Sequence, residues 1–364
     1  MRRRTFLKAA ATSAAAGATS TVFAVPNVIV AQRTLQWQMA TSWPVALDTL
    51  YGGAQQFAER VAALTGGRFQ ITPNPAGKLA PGTGVVDVVA QGAVPIGHAP
   101  AYYAIGKVPA TAIATGLPFG MTLRQTNAWF YEGGGLDLMN EVYAKRLGII
   151  AFLAGNSGAQ MGGWFRREVN TLRDLQGLKM RIAGLGGEIM KRLGVTVQTL
   201  PPNEIFQALQ TGAVDAVEWV GPYDDERLGF YKVAKFYYYP GWWEPSASLE
   251  IQVNLREWRR LPRDFQQAIR SAAMEINMSI PARYDARNAA ALQKLQQEGV
   301  QLRQFPKEIM DEAQKVAREI FNDFAARDAD FKRVYESWSK FKTETDSWFG
   351  LNEFAISGYL YGKS

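Results

Sequence analysis

Cysteine is absent from this chain, and histidine occurs once, as His98. The first absence excludes disulfides, thiolate metal sites and cysteine nucleophiles, so stability has to come from buried apolar surface. The second excludes a histidine-built zinc centre and leaves a satisfied structural role as the expectation for His98. Phosphate loops are missing too: Gly133-Gly134-Gly135 fits no phosphate-binding spacing, and Gly184-Leu185-Gly186-Gly187 has Ile189 where a third glycine is needed. No internal repeat or low-complexity tract follows the first 24 residues, and no nucleophile motif accompanies the acids.

The chain's 364 residues exceed one usual domain, and 47% apolar with 20% charged residues is ordinary for a globular protein, so two lobes are expected. Residues 1–24 read as an export signal. Arg3-Arg4-Thr5-Phe6-Leu7-Lys8 matches the twin-arginine pattern, and the Ala-rich run that follows ends in Val22-Phe23-Ala24. That run holds Thr, Ser and Gly, which argues against a retained membrane anchor. Cleavage after Ala24 removes Arg2, Arg3, Arg4 and Lys8, bringing a formal charge of +7 to +3. With no basic cluster left, nucleic acid is excluded as a partner.

Strands and helices alternate from there. Thr34 to Ala40 alternates as a strand, an amphipathic helix spans Leu50 to Leu64, and Phe69-Gln70-Ile71-Thr72 is the next strand, a pattern that predicts parallel pairing. Ala93 to Ala99 runs into Pro100, Tyr102 and Tyr103, whose rings can wall a pocket at a strand end. Gly148 to Leu153 is a buried strand that delivers Asn156 and Gln160 to its C-terminal end, where ligands gather in open α/β sheets. Leu178 to Ile182 alternates strictly, placing Lys179 and Arg181 opposite a buried face, and Gly212 to Trp219 reads as a strand ending at Glu218 and Trp219. Asp224 to Arg227 reads as solvated surface. The run Phe236 to Trp243 is expected to supply aromatic pocket walls around Glu244. Ser248 to Asn254 is a returning strand, and from Asp264 onward the chain is predominantly helical.

One stretch is more specific. Asp174-Leu175-x-Gly177-x-Lys179-x-Arg181, then Gly194-x-x-Val197 and Glu204-x-x-x-Ala208-Leu209-x-x-Gly212-x-x-Asp215, resembles the periplasmic solute receptors of tripartite ATP-independent (TRAP) transporters. Glu218-Trp219 with Pro240-Gly241-Trp242-Trp243-Glu244 is similar to the branch that takes 2-oxo acids such as pyruvate. The resemblance implies an α/β, two-lobed periplasmic binding protein fold with a hinge between the lobes and a long helical C-terminal extension. Residues 34–154 with 246–300 would form the first lobe, 155–245 the second, and 301–364 the extension. It also implies a receptor rather than an enzyme, located in the periplasm, which hands its ligand to membrane permease subunits without inserting into the membrane itself. A C-terminal helix exchanged between protomers would make a homodimer, although the aromatic residues from Phe331 to Phe349 also suit ordinary core.

Arginine offers a carboxylate two parallel charge-assisted hydrogen bonds, so Arg181 is the candidate anchor, with Asn156, Tyr102, Tyr103 and Trp219 around the ligand. Glu218, Glu244, the Gln160 amide oxygen and a backbone carbonyl near Trp219 are hard donors that suit Na⁺ or Ca²⁺, with Na⁺ expected first. A ligand carboxylate and two glutamates against one arginine leave excess negative charge in a closed cleft, which a cation offsets. The resemblance implies that this cation also touches the acid. Two other readings stand beside this one: lactate or another hydroxy acid as ligand, and an exported glycoside hydrolase using Glu218 and Glu244 as a carboxylate pair.

Overall fold

The computed structural model describes residues 34–362, and the expected export signal lies outside them. Its first run of elements is β1 (Leu35–Thr41), α1 (Leu50–Leu64), β2 (Phe69–Asn74), α2 (Val85–Ala90), β3 (Ile96–Ala99), α3 (Thr111–Thr115), α4 (Leu123–Tyr131), α5 (Gly135–Arg146) and β4 (Ile149–Asn156). Next come β5 (Trp164–Phe165), β6 (Lys179–Arg181), α6 (Gly184–Arg192), β7 (Thr196–Gln198), α7 (Ile205–Thr211), β8 (Ala216–Val217), α8 (Pro222–Leu228) and β9 (Phe236–Tyr239). The chain finishes with β10 (Ser248–Asn254), α9 (Leu255–Arg260), α10 (Arg263–Gln297), β11 (Gln301–Gln304), α11 (Lys307–Arg327), α12 (Ala329–Phe349) and α13 (Ala355–Tyr361).

These strands make two sheets. The first has the order β2-β1-β3-β10-β4, with β1 parallel to β2 and β3, and β10 antiparallel to both its neighbours. The second has the order β11-β9-β5-β8-β6-β7, with β6 parallel to β7 and β8. The parallel pairing read from the strand-helix-strand pattern is thus present in both. Three passages carry the chain between sheets: 157–163, 240–247, and the long helix α10, which packs on β4, α1 and α8.

The first two passages run side by side. Ser157 N–H donates to Ala247 O at 3.0 Å, Gln160 N–H to Glu244 O at 3.2 Å, Gly241 N–H to Gln160 O at 2.9 Å and Gly162 N–H to Tyr238 O at 2.7 Å. Gly241 makes this approach possible, because a Cβ there would lie 2.5 Å from Met161 O and 2.6 Å from Gln160 O. Side chains on the two segments, Gln160 and Glu244 among them, are thereby brought together at the junction of the sheets.

Apolar packing holds the assembly. Phe57, Ile251, Ile276 and Ile280 from around the first sheet share one buried cluster with Trp164, Val217 and Tyr237 of the second. Full burial of a side chain of Leu or Phe size stabilises by about 1.5–3 kcal/mol, so this continuity does the work that disulfides cannot do here.

Several expectations need correction. Asp224 and Asp225 are 0% and 1% exposed rather than solvated, because α8 turns them inward against aromatic donors. The strand expected over 212–219 contracts to β8, since Gly212 ends α7 in the left-handed region at φ 76° and Asp215 turns to hydrogen-bond Lys179. Gly184 to Gly187, already set aside as a phosphate loop, is the first turn of α6, where Gly186 leaves room for Trp243; a Cβ would meet its Cβ at 2.6 Å. Gln301–Gln304, expected in the helical extension, is an edge strand parallel to β9. The terminal aromatics divide: Phe331 and Trp338 are buried, while Trp348 and Phe354 are 56% and 75% exposed. No described helix is long and apolar enough to cross a membrane.

Candidate functional site

Strand ends build the site. Trp43 follows β1, Tyr102 and Tyr103 follow β3, Ser157 and Gln160 follow β4, Arg181 closes β6, Glu218 and Trp219 follow β8, and Glu244 follows β9. Each stands at or just beyond the C-terminal end of its strand, where ligands collect in sheets of this kind. All but Arg181 line one enclosed pocket, together with Leu50, Pro100, Ala247 and Leu249; about 30 Å³ of it is open to the centre of a water molecule. Tyr102 and Tyr103 also line a neighbouring cleft of about 430 Å³ with Thr83, Gly184, Glu188 and Thr199, so the two rings partition the inner pocket from the outer space.

Arg181 stands directly behind Glu218 and is fully buried. Its Nη1 donates at 2.8 Å to Glu218 Oε2 and at 2.8 Å to Glu218 O, and its guanidinium lies 5.4 Å from the Trp219 ring centroid. Burial disfavours its charge, but Glu218, Tyr103, Tyr102 and Glu244 together hold its pKa above the ordinary arginine range. Burial pushes Glu218 up to about 7 against the pull of Arg181 and the Ala183 backbone N–H. Glu244 is raised well above the usual carboxylate range, by burial first and then by the charge of Glu218. Tyr102 and Tyr103 are both raised, chiefly by burial, and remain neutral hydrogen-bonding phenols.

In the passages between the sheets, Gln160 Nε2 donates to Glu244 Oε2 at 2.6 Å and to Ser157 Oγ at 3.1 Å, which leaves Gln160 Oε1 buried without a partner. Gln160 Oε1 thus shares the pocket with two carboxyl groups that burial makes reluctant to ionise. The donors are hard oxygens, which suit Na⁺ or Ca²⁺. Among the described residues there is no group of three or more His, Cys, Asp or Glu suited to a metal ion, so the set is two carboxylates completed by neutral oxygens. The residues present therefore fit a weakly charged cation cage.

Asn156 is not among the residues lining the pocket. Its Nδ2 donates to Ser248 Oγ at 3.2 Å and its Oδ1 accepts from Gly158 N–H at 2.8 Å, so its amide shapes the crossing segment. Nor do Trp242 and Trp243 form the expected walls: Trp242 stacks on Phe119 at 5.1 Å, and Trp243 packs on Phe305. The aromatic lining comes from Trp43, Tyr102, Tyr103 and Trp219 instead. Trp43 was missed, and its position just after β1 was the available signal. His98 has the expected structural role, accepting from Trp43 Nε1 at Nδ1 (2.9 Å) and donating from Nε2 to Ala154 O (2.9 Å).

Two sheets joined by paired passages, with a buried arginine and acids at the strand ends, are the architecture of a two-sheet α/β solute-binding protein. The model of bacterial extracellular solute-binding protein family 7 matches residues 39–328, and the chain belongs to that family, the solute receptors of TRAP transporters. It is 48% identical, over 99% of both chains, to a monocarboxylate 2-oxoacid-binding periplasmic protein of a Nostoc species. A solved TRAP solute-binding protein from Bordetella bronchiseptica, a mixed-occupancy dimer with calcium and picolinate in one site, is 44% identical, with a TM-score of 0.89 over 91% of this chain and 98% of that one. One from Pseudoalteromonas atlantica, with sodium and pyruvate bound, is 36% identical with a TM-score of 0.85 over 89% and 98%. A family of binding receptors gives the hydrolase alternative no footing.

Proposed function

We propose that this protein captures a small 2-oxo monocarboxylate, pyruvate or a close analogue, together with a cation, and delivers it in the periplasm to membrane permease subunits. The observation that carries the reading is the convergence of Glu218, Glu244 and Gln160 in one buried pocket walled by aromatic rings, with Arg181 bonded to Glu218 behind them. Arg181 supplies a planar fork for the acid's carboxylate, and Tyr102 and Tyr103 supply neutral phenols on the outer side. Glu218, Glu244, Gln160 Oε1 and the Trp219 carbonyl hold the cation, which offsets the glutamates' charge and draws the acid's oxygens toward it. Those four protein donors with two from the acid make about six, the lower limit of calcium's usual 6–8, so sodium is the proposed occupant and calcium its competitor.

In this reading residues 34–154 with 246–300 form one lobe and residues 155–245 the other, with the paired passages as their hinge; the two sheets support the division, although β11 joins the second sheet from residues 301–304. Export by the twin-arginine leader and a homodimer joined through the exposed end of the C-terminal helix complete the proposal. Support comes from the family membership, the relative named for 2-oxo acids and the neighbours holding sodium or calcium.

Calorimetry tests the reading. Pyruvate titrated into the exported form should bind tightly in sodium, weakly after the cation is removed, and better than lactate. Equal affinity for lactate moves the assignment to hydroxy acids, and no heat with either acid in any cation removes it.

A further inference from the structure

His98, the only histidine of the chain, has no part in the function just proposed, yet it stands immediately behind the pocket. Its imidazole is 0% exposed, and both nitrogens are used. A carbonyl oxygen can only accept, so the contact with Ala154 fixes the proton on Nε2 and leaves Nδ1 as the acceptor for the Trp43 indole N–H. Burial keeps the ring in this neutral form, lowering its pKa to about 4 against the opposing bond to Ala154. The two contacts also tie His98 across the first sheet: it belongs to β3, and Ala154 lies on β4 beyond the intervening β10.

Trp43 faces the ligand pocket, whereas His98 does not line it. Trp43 has one polar atom, and that atom is turned away from the ligand and held by a rigid acceptor. The edge-on contact of the two rings, with centroids 5.5 Å apart at 74°, fixes the plane of the indole as well as its position. The pocket's other tryptophan is held in the same manner: Trp219 Nε1 donates at 3.3 Å to the buried Asp224, which also accepts from Tyr284 at 2.8 Å. Both indoles therefore present carbon faces to the ligand, and neither has a free donor to turn inward.

We propose that His98 is a positioning residue of the ligand site, which acts through Trp43 to set how long a tail the bound 2-oxo acid has room for. With the indole pinned, the wall beside Leu50 and Leu249 is rigid and the pocket is matched to the shortest acids. A freed indole tilts and lets an extra methylene in. The inference rests on the proposed 2-oxo acid receptor.

The test is a double-mutant cycle on the exported protein with sodium present, measuring Kd for pyruvate and for 2-oxobutyrate. His98→Ala should weaken pyruvate roughly fivefold, the worth of one neutral hydrogen bond, and should lower the ratio that favours pyruvate over 2-oxobutyrate. Trp43→Phe deletes the N–H and should do the same, and the double variant should be no worse than either. His98→Gln, which keeps an acceptor, should restore part of the loss. A merely structural histidine would weaken both acids alike and leave the ratio unmoved, and that result, or losses that add in the double variant, overturns the inference. If His98→Ala does not fold, His98→Leu, which fills the space but offers Trp43 no acceptor, decides, and an unchanged ratio overturns the inference. Failure of the wild type to bind pyruvate under any condition would remove the receptor reading and this inference together, whereas normal wild-type binding with additive losses removes only the inference.

Discussion

Gln160 and Glu244 are 84 residues apart on different passages between the sheets, yet Gln160 Nε2 donates to Glu244 Oε2 at 2.6 Å. The bond uses the amide nitrogen and leaves the amide oxygen buried and unpartnered, in the pocket that Glu218 and Glu244 also line. On the proposed function, a cation seated there offsets the cost of ionising both buried acids. Binding of cation and acid should then be coupled, each tightening the other by the same factor. Gln160→Ala and Glu244→Gln are expected to weaken the cation dependence of pyruvate binding at least tenfold, as read by calorimetry across a sodium series. An unchanged sodium dependence in both variants would place the cation elsewhere.

Arg181 holds a buried charge against Glu218, and removing one member of such a pair leaves the other uncompensated. Arg181→Ala should therefore cost about 2–5 kcal/mol of pyruvate affinity, roughly thirtyfold or more. Arg181→Lys should recover little, because an ammonium has no planar fork and cannot donate in parallel to two carboxylate oxygens. Recovery to within a few-fold by lysine would mean that charge alone, without fork geometry, carries recognition.

Asp225 gives a pH signature. Its Oδ2 accepts from Tyr237 at 2.6 Å and from Trp164 at 2.9 Å, and burial pushes its pKa up to about 8 despite those bonds. The unfolded chain releases this proton near the ordinary aspartate value, so between that value and about 8 the native state binds a proton that the unfolded state does not. Stability is fully present below the unfolded pKa and falls as pH rises through the folded one. His98 titrates in the opposite sense, but only below its ordinary value of 6.5. Glu218, Glu244 and Glu250 are raised by burial and titrate in the same sense as Asp225, so melting temperature should decline from about pH 6.5 to about pH 8, and Asp225→Asn should make the decline shallower because its amide oxygen still accepts both donors without charge. Equal slopes in the two proteins would count against a proton on Asp225.

Gly241 is a packing prediction. A Cβ would collide with two carbonyl oxygens of the neighbouring passage, so Gly241→Ala must separate the segments that hold Gln160 and Glu244. A loss of about 1–3 kcal/mol in thermal or urea unfolding is expected, with weakened pyruvate binding, since strain in a tight core has no cheap relief. Wild-type stability and affinity together would show that the passages can part without consequence.

The end of the C-terminal helix exposes Trp348, Leu351, Phe354, Tyr359 and Tyr361 on a stretch that contributes no buried residue. Exposed apolar surface on this scale marks an interaction site. Ending the chain after Ser347 should convert a dimer to a monomer in sedimentation while pyruvate affinity stays within a few-fold, because the pocket draws nothing from this segment. A monomeric full-length protein, or a truncated one that remains dimeric, refutes the helix-mediated dimer.

Periodicity made much of the architecture legible. Alternation in β1, β2 and β10 and the spacing of the intervening helices are local properties, as is the helical run after Asp264, so the chain states them residue by residue. The motif around Arg181 likewise pointed to the receptor family to which the chain belongs. What a linear string could not carry was side-chain direction where two segments distant in sequence meet. Asp224 and Asp225 read as surface because charge is usually solvated, and only the aromatic donors brought from Trp164, Trp219, Tyr237 and Tyr284 make their burial possible. Trp242 and Trp243 looked like pocket walls but were claimed by Phe119 and Phe305, leaving the role to Trp43, nearly two hundred residues away. The sequence by itself determined which elements form and which chemistry is on hand. The tertiary structure alone decided which side chains share the cleft, because burial and hydrogen-bond partnership are set by whatever the folded chain places opposite each residue.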